Sequence, residues 1–198
     1  PLLTGAREAE DEWDRAVVAE PELPARATLR DLDLGRPLIV AANGHAIAGG
    51  MEMLLAGDLR VVATGARLGL SEVKLGLIPA MGGTARLARL VSPALAAEML
   101  LTGNPIDADG ALAAGLVNYV VSAEKVEEVA LELAATIADN APLAVRAARK
   151  VMRRAADLSE VGALALESAE AVKVAASEDA QEGPRAFMEK RPPVFKGV

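Results

Sequence analysis

Apolar positions change their spacing several times along this chain, and each change marks an element. Residues 3–14 have the spacing of a helix with one charged face, and residues 15–18 read as the start of a strand. The pattern breaks over residues 19–24, where Pro21 and Pro24 stand with Glu20 and Glu22. Helical spacing then resumes over residues 25–34. Pro37-Leu38-Ile39-Val40-Ala41-Ala42 is a nearly all-apolar run bounded by Gly35 and by Asn43-Gly44, the look of a buried strand. Gly49-Gly50 opens a helix through Ala56. Leu59-Arg60-Val61-Val62-Ala63 is the next strand, and residues 67–70 are another. Strand, turn, helix and strand recur, which predicts an α/β layered fold.

In the second half, Thr84 is placed to cap a helix over residues 85–90. Ser92-Pro93 starts another, ending at Leu101-Thr102-Gly103, and Ile106-Asp107-Ala108 opens a third, closed by Gly115. Residues 116–121 return as a strand. Beyond Ala123 the spacing is helical, over residues 124–140, 142–156 and 159–176, with a tail at residues 187–195. These late helices carry more apolar surface than a small core covers, with Leu164, Leu166, Val172 and Val174 among it. A surface of that kind calls for a partner. The expected division is a core over residues 1–140 and a helical region with its tail over residues 141–198.

Composition narrows the function. A chain of 198 residues with 52% apolar content forms one core, or one core with an appendage, and is globular. It has no cysteine, which removes thiol nucleophiles, disulfides and thiolate metal sites and fits a cytoplasmic protein. The single histidine, His45, leaves no histidine-rich metal site. A net charge of −7 argues against a nucleic-acid partner. The apolar region at residues 38–57 is interrupted by Asn43, His45 and Glu52, so no membrane span is expected. Pro1 leads straight into a polar, acidic segment without the character of a signal peptide.

Two glutamates stand out against this background. Glu52 follows Gly49-Gly50-Met51 and precedes Met53-Leu54-Leu55, while Glu72 lies in Leu68-Gly69-Leu70-Ser71-Glu72-Val73. A carboxyl group among apolar side chains has a raised pKa, and two facing one cleft form a general acid and base pair. The paired glycines ahead of Glu52 add backbone N–H groups that can hold a developing oxyanion. Each feature taken alone has a plainer reading. Glu52 would be a first-turn acid on the helix dipole, Glu72 a solvated turn residue beside an N-capping Ser71, and Gly49-Gly50 a tight packing contact. His45 lines a pocket or sits satisfied in the core. Gly82-Gly83-Thr84 suits either an N-cap or an anion site at a helix start. Arg146, Arg149, Lys150, Arg153 and Arg154 read as a solvated helix face, and Asp58 as structural.

The order of the short segments carries a resemblance. Pro37-Leu38-Ile39 precedes Asn43-Gly44, then come Gly49-Gly50-Met51-Glu52, Gly57-Asp58-Leu59-Arg60, Gly69-Leu70-Ser71-Glu72, Gly76-Leu77-Ile78-Pro79 and Gly82-Gly83-Thr84. Leu101-Thr102-Gly103, Ala114-Gly115-Leu116-Val117 and Phe187-Met188-Glu189-Lys190-Arg191 follow. From residue 35 to residue 198 the chain resembles the crotonase superfamily, the enoyl-CoA hydratases and isomerases. One glycine motif would be weak, but nine segments in the right order are specific.

The resemblance implies an α/β fold, a spiral of β-β-α units with a C-terminal helical trimerisation region, assembled as a homotrimer or homohexamer. It implies an acyl-CoA thioester substrate, with CoA as part of the substrate and no separate cofactor or metal. By the same resemblance Gly49 supplies an oxyanion-hole N–H and Glu52 and Glu72 are catalytic. His45, Ala48, Ser71, Ala80, Met81, Phe187 and Lys190 then fall at substrate-binding positions. Retention of both glutamates resembles the hydratases, which activate water between two carboxyl groups. The alternatives are a double-bond isomerase using Glu72 as a shuttle and a catalytically silent acyl-CoA-binding or assembly subunit. Ser71 stands where the family commonly has proline and Ala80 where it commonly has glycine. The family's alanine-glycine-x-aspartate segment, source of the other oxyanion donor, has no counterpart in the sequence. The expectation is therefore that a stretch between about Val18 and Pro24, and residues before Pro1, are missing from these 198.

Overall fold

The structure, a computed structural model, describes residues 11–198. It divides into two compact units: one runs up to Asp33 and resumes over Leu38–Glu128, the other comprises Leu34–Pro37 and Val129–Val198.

In the first unit, helix α1 spans Glu12–Ala19, capped by the Asp11 carboxylate, which accepts the Asp14 N–H at 2.7 Å. Residues 15–18 are therefore helical where a strand is expected, because a good N-cap with Glu12 and Asp14 in the first turn favours the helix. The expected helix over residues 3–14 lies partly outside the described residues. The Glu20 N–H reaches the Ala16 carbonyl at 2.8 Å, and the Leu23 N–H reaches the Glu20 carbonyl at 2.9 Å. Helix α2 is only Leu23–Ala27, shorter than the spacing over residues 25–34 suggests. It ends as Leu29 turns to a positive φ of 55°.

Strands β1 (Ile39–Ala42) and β2 (Ala46–Ile47) lead into α3 (Gly49–Ala56), and β3 (Leu59–Ala63) and β4 (Arg67–Gly69) follow. Strand β1 pairs with β3, and β2 with β4, both in parallel register. Successive turns of the chain thus each add one strand to each of two sheets. That is the spiral of β-β-α units the sequence implies. After a 3₁₀ turn at Glu72–Leu75 come α4 (Gly83–Leu90) and α5 (Pro93–Thr102). Strand β5 (Ile106–Asp107) then pairs antiparallel with β4, α6 spans Ala108–Ala113, and β6 (Tyr119–Val121) completes the order β1-β3-β6.

Asp107 is both the end of β5 and the cap of α6, its carboxylate accepting the Gly110 N–H at 2.8 Å. Helix α4 is not capped by Thr84: the cap is Gly82 at φ 106°, and the Thr84 hydroxyl instead bonds the Pro79 carbonyl at 3.2 Å. Ser92 does cap α5, with Pro93 at its first position. The core between the layers is made by Met51, Leu54 and Leu55 of α3, Val62, Leu68, Leu70, Leu87 and Met99. Each large side chain of this kind contributes about 1.5–3 kcal/mol by leaving water. Asp58 is structural, its carboxylate holding the Leu38 N–H at 2.8 Å at the head of β1.

In the second unit, α7 (Val126–Ala138), of which residues 129–138 belong here, is followed by α8 (Pro142–Ala155), α9 (Glu160–Ala175) and α10 (Glu178–Glu189). Arg149 is buried, so the basic face of α8 is only partly solvated, and Lys150 pairs with Glu170 of α9 at 2.8 Å. Leu164 and Val172 are exposed on α9, while Leu166 and Val174 are half-buried. An apolar groove of about 590 Å³ lies between α8 and α9, lined by Ala144, Ala148, Val151, Met152, Ala171 and Val174 among others. Phe187 and Met188 belong to α10 and not to an extended tail. The true tail folds back along α10. Asp179 accepts the N–H groups of Lys196 and Gly197, and Glu182 holds Arg191 at 2.6 and 3.0 Å. The Arg191 guanidinium brings the Glu182 carboxyl down to about 2.

Candidate active site

The two glutamates reach one place by different routes. Glu52 lies in the first turn of α3 and is only 3% exposed. Its carboxylate does not serve its own helix. Instead Oε1 accepts the Met81 N–H at 2.7 Å and the Gly83 N–H at 2.9 Å, from the loop that opens α4. A buried charge is tolerable only when such donors replace its water. Glu72 begins the 3₁₀ turn. Its Oε2 is buried without a hydrogen-bond partner, and its pKa is raised, first by loss of solvent and also by the charge of Glu52. The second cause puts the two carboxyl groups within electrostatic reach of each other. Ser71 makes no side-chain cap, which removes the reading of Glu72 as a turn acid beside a capping serine.

The glycines ahead of Glu52 have an equally clear role. A Cβ at Gly49 or Gly50 would meet nothing within 4 Å, so neither is there for tight packing. Ala48 precedes them at φ 52° and ψ −123°, a conformation costly for any residue with a side chain. Its own N–H is taken by the Gly69 carbonyl at 2.9 Å. Gly49 is the first residue of α3, where helical N–H groups lack an intrahelical acceptor. Open space above bare glycine, an N–H at a helix start and two acids within reach form a site for a polar reacting group.

The remaining sequence candidates divide. Met81 joins the site through its N–H, with Ala80 exposed beside it. Ser71 adjoins Glu72. His45 is exposed and not core, its Nδ1 accepting the Arg67 N–H at 3.0 Å at the start of β4. Phe187, 85% exposed, and Lys190, at the left-handed end of α10, lie in the second unit. Sequence reading missed Gly83, Thr28 and Arg86. A Cβ at Gly83 would lie 2.9 Å from Leu70 and Pro79 and 3.0 Å from Glu52 Cγ. The glycine pair was visible as a motif, but its need for bare space is tertiary. Among the described residues no three His, Cys, Asp or Glu side chains form a metal-holding group, and no helix is long and apolar enough to cross a membrane.

This fold and this pair of acids define a crotonase-type protein, and comparison with known proteins agrees. Residues 8–198 match the enoyl-CoA hydratase/isomerase family. The chain is 43% identical over 198 residues to the carnitinyl-CoA dehydratase of Citrobacter koseri, spanning 93% of this chain and 76% of that one. The carnitinyl-CoA dehydratase of Salmonella typhi is 42% identical over 197 residues, with the same shares. The enoyl-CoA hydratase structure from Bacillus anthracis superposes with a TM-score of 0.85 at 38% identity, over 96% of this chain and 72% of that one. The chain belongs to the enoyl-CoA hydratase/isomerase family.

Proposed function

We propose that this protein is a hydro-lyase that adds water across the double bond of a 2-enoyl-CoA thioester, giving a 3-hydroxyacyl-CoA. The observation that carries the reading is the pairing of an N–H-bonded, buried Glu52 with a Glu72 whose partnerless Oε2 and raised pKa suit it to hold a proton. The Gly49 N–H binds the thioester oxygen, drawing electron density from the double bond and making Cβ electrophilic. Glu52 takes a proton from water as the water oxygen bonds to Cβ. The π electrons pass toward the thioester as an enolate, which collapses as Glu72 delivers its proton to Cα. The relatives named as dehydratases support the same chemistry in the opposite direction, because the same two carboxyl groups serve both.

The reaction uses no metal or redox cofactor, and CoA enters as part of the substrate. Phe187 and Lys190 contact CoA across a subunit interface, and the exposed apolar side chains of α9 assemble a homotrimer or homohexamer, which light scattering at micromolar concentration measures. Hydration of crotonyl-CoA, followed by loss of the enoyl absorbance, tests the function. Glu52→Gln and Glu72→Gln should each lower turnover by about two to four powers of ten with the fold retained. Near-full turnover in either variant would overturn the two-carboxylate mechanism. Isomerisation without hydration would favour the isomerase alternative.

A further inference from the structure

Glu52 is held by more than its two N–H donors. Arg86 of α4 sends its guanidinium back toward the base of α3. Its Nη1 donates to the Glu52 carbonyl at 3.3 Å and to the Thr28 carbonyl at 3.0 Å, and its Nη2 donates to the Leu29 carbonyl at 2.6 Å. The group packs over Gly82, where an added Cβ would stand 3.0 Å from Cζ and Nη1. Leu29 adopts its positive φ in the same turn that presents these carbonyls. Thr28 is buried, and its hydroxyl lies 3.2 Å from the Met81 carbonyl and 2.9 Å from the Ala25 carbonyl.

These bonds close a ring. The Glu52 carboxylate is bonded to the Met81 N–H, the Met81 carbonyl to the Thr28 hydroxyl (which shares its one proton with the Ala25 carbonyl), the Thr28 carbonyl to Arg86, and Arg86 to the Glu52 carbonyl. Both ends of Glu52, its backbone and its carboxylate, are thus referred to the same short turn at residues 28–29. The planar guanidinium presents its donors in a fixed fork and reaches three carbonyls at once. The ring lies behind the carboxylate, on the side of the Met81–Gly83 loop. Neither Arg86 nor Thr28 is among the substrate-binding positions the sequence implies.

We propose that Arg86 and Thr28 are positioning residues that hold the Glu52 carboxylate at the reacting water. This rests on the reading of Glu52 as the base. A proton-transfer group must stay within about 0.5 Å of its productive position, and displacement of about 1 Å costs on the order of a hundredfold in rate. Arg86→Gln breaks the ring at two carbonyls or more. Thr28→Val removes only the hydroxyl while keeping the shape of the buried side chain.

The test measures crotonyl-CoA hydration by Arg86→Gln and Thr28→Val, each made in the wild-type chain and in Glu52→Gln. Arg86→Gln should lower kcat by roughly 10- to 100-fold and Thr28→Val by roughly three- to tenfold, with KM within about twofold. In the Glu52→Gln background neither should lower the residual rate by more than about twofold, because the group they position no longer takes a proton. An equal loss in both backgrounds, or a loss expressed mainly in KM, would overturn the proposal. Should Arg86→Gln fail to fold, Thr28→Val decides by the same comparison. Full activity of Glu52→Gln alone marks failure of the base assignment, and is read separately from the ring.

Discussion

Replacing Gly83 by alanine tests whether the acid is held by close packing. The added Cβ would stand 2.9 Å from Leu70 Cδ2, 2.9 Å from Pro79 Cβ and 3.0 Å from Glu52 Cγ. Carbon atoms rest about 3.5–4.0 Å apart, so each contact is short by roughly 0.5–1 Å. Leu70 is fully buried in the core and Pro79 is a buried ring, so neither can swing away. Relief must come from the Gly83 backbone or from Glu52. Either movement stretches the 2.9 Å bond from the Gly83 N–H to Oε1 beyond hydrogen-bonding range. Overpacking of this kind costs about 1–3 kcal/mol, partly offset by the better helix propensity of alanine. In a chain of this size the net loss, up to about 2 kcal/mol, lowers Tm by up to about 8 °C. Turnover should fall by roughly 10- to 100-fold. Gly50→Ala is the control, since its Cβ meets no protein atom: it should leave Tm unchanged or slightly raised. Calorimetry and crotonyl-CoA hydration read both quantities. A Gly83→Ala protein with wild-type Tm and kcat would refute the argument.

Three further outcomes follow from the site. Because the Glu72 pKa is raised in the folded state, its contribution to stability is present below 4.5 and is lost as pH rises through the folded value. Glu72→Gln should therefore melt higher than wild type at neutral pH, with the advantage vanishing on acidification; the same difference at every pH would contradict this. Ala48→Gly should relieve the strain of φ 52°, worth about 1–3 kcal/mol, less about 0.5–1 kcal/mol for glycine's greater freedom when unfolded, and so raise Tm by a few degrees. A lower Tm would show that the strain is not there. Lys190→Ala should raise KM for crotonyl-CoA by about two- to fivefold with little change in kcat, the size of an exposed charge contact. A change in kcat alone would remove Lys190 from the CoA site.

Much of the site was legible from residue order because its chemistry depends on types and short spacings. A helix that starts at Gly49 needs bare glycine for open space, and Glu52 is three residues on, in the same first turn. Strand β3 is a nearly continuous apolar run because it is buried within the spiral, and such a run is visible without coordinates. Strand β1 has the same look, yet none of its residues is buried and Ala41 is exposed, so an apolar run alone did not establish burial. Family resemblance then supplied the order of the turns. The errors lie where a local signal had two outcomes. Residues 15–18 suit a strand until the Asp11 cap and the acids of the first turn are weighed. Thr84 suits an N-cap until the Gly82 backbone, at φ 106°, takes that position.

Tertiary structure alone decided which atoms hold Glu52. The Met81 and Gly83 N–H groups, the Thr28 hydroxyl and the Arg86 guanidinium lie between 24 and 34 positions from Glu52 in the chain. No periodicity or short motif links such distances. A buried carboxylate must replace its lost water with donors brought by packing, and only the folded spiral brings them. The sequence named the acid; the fold determined its partners.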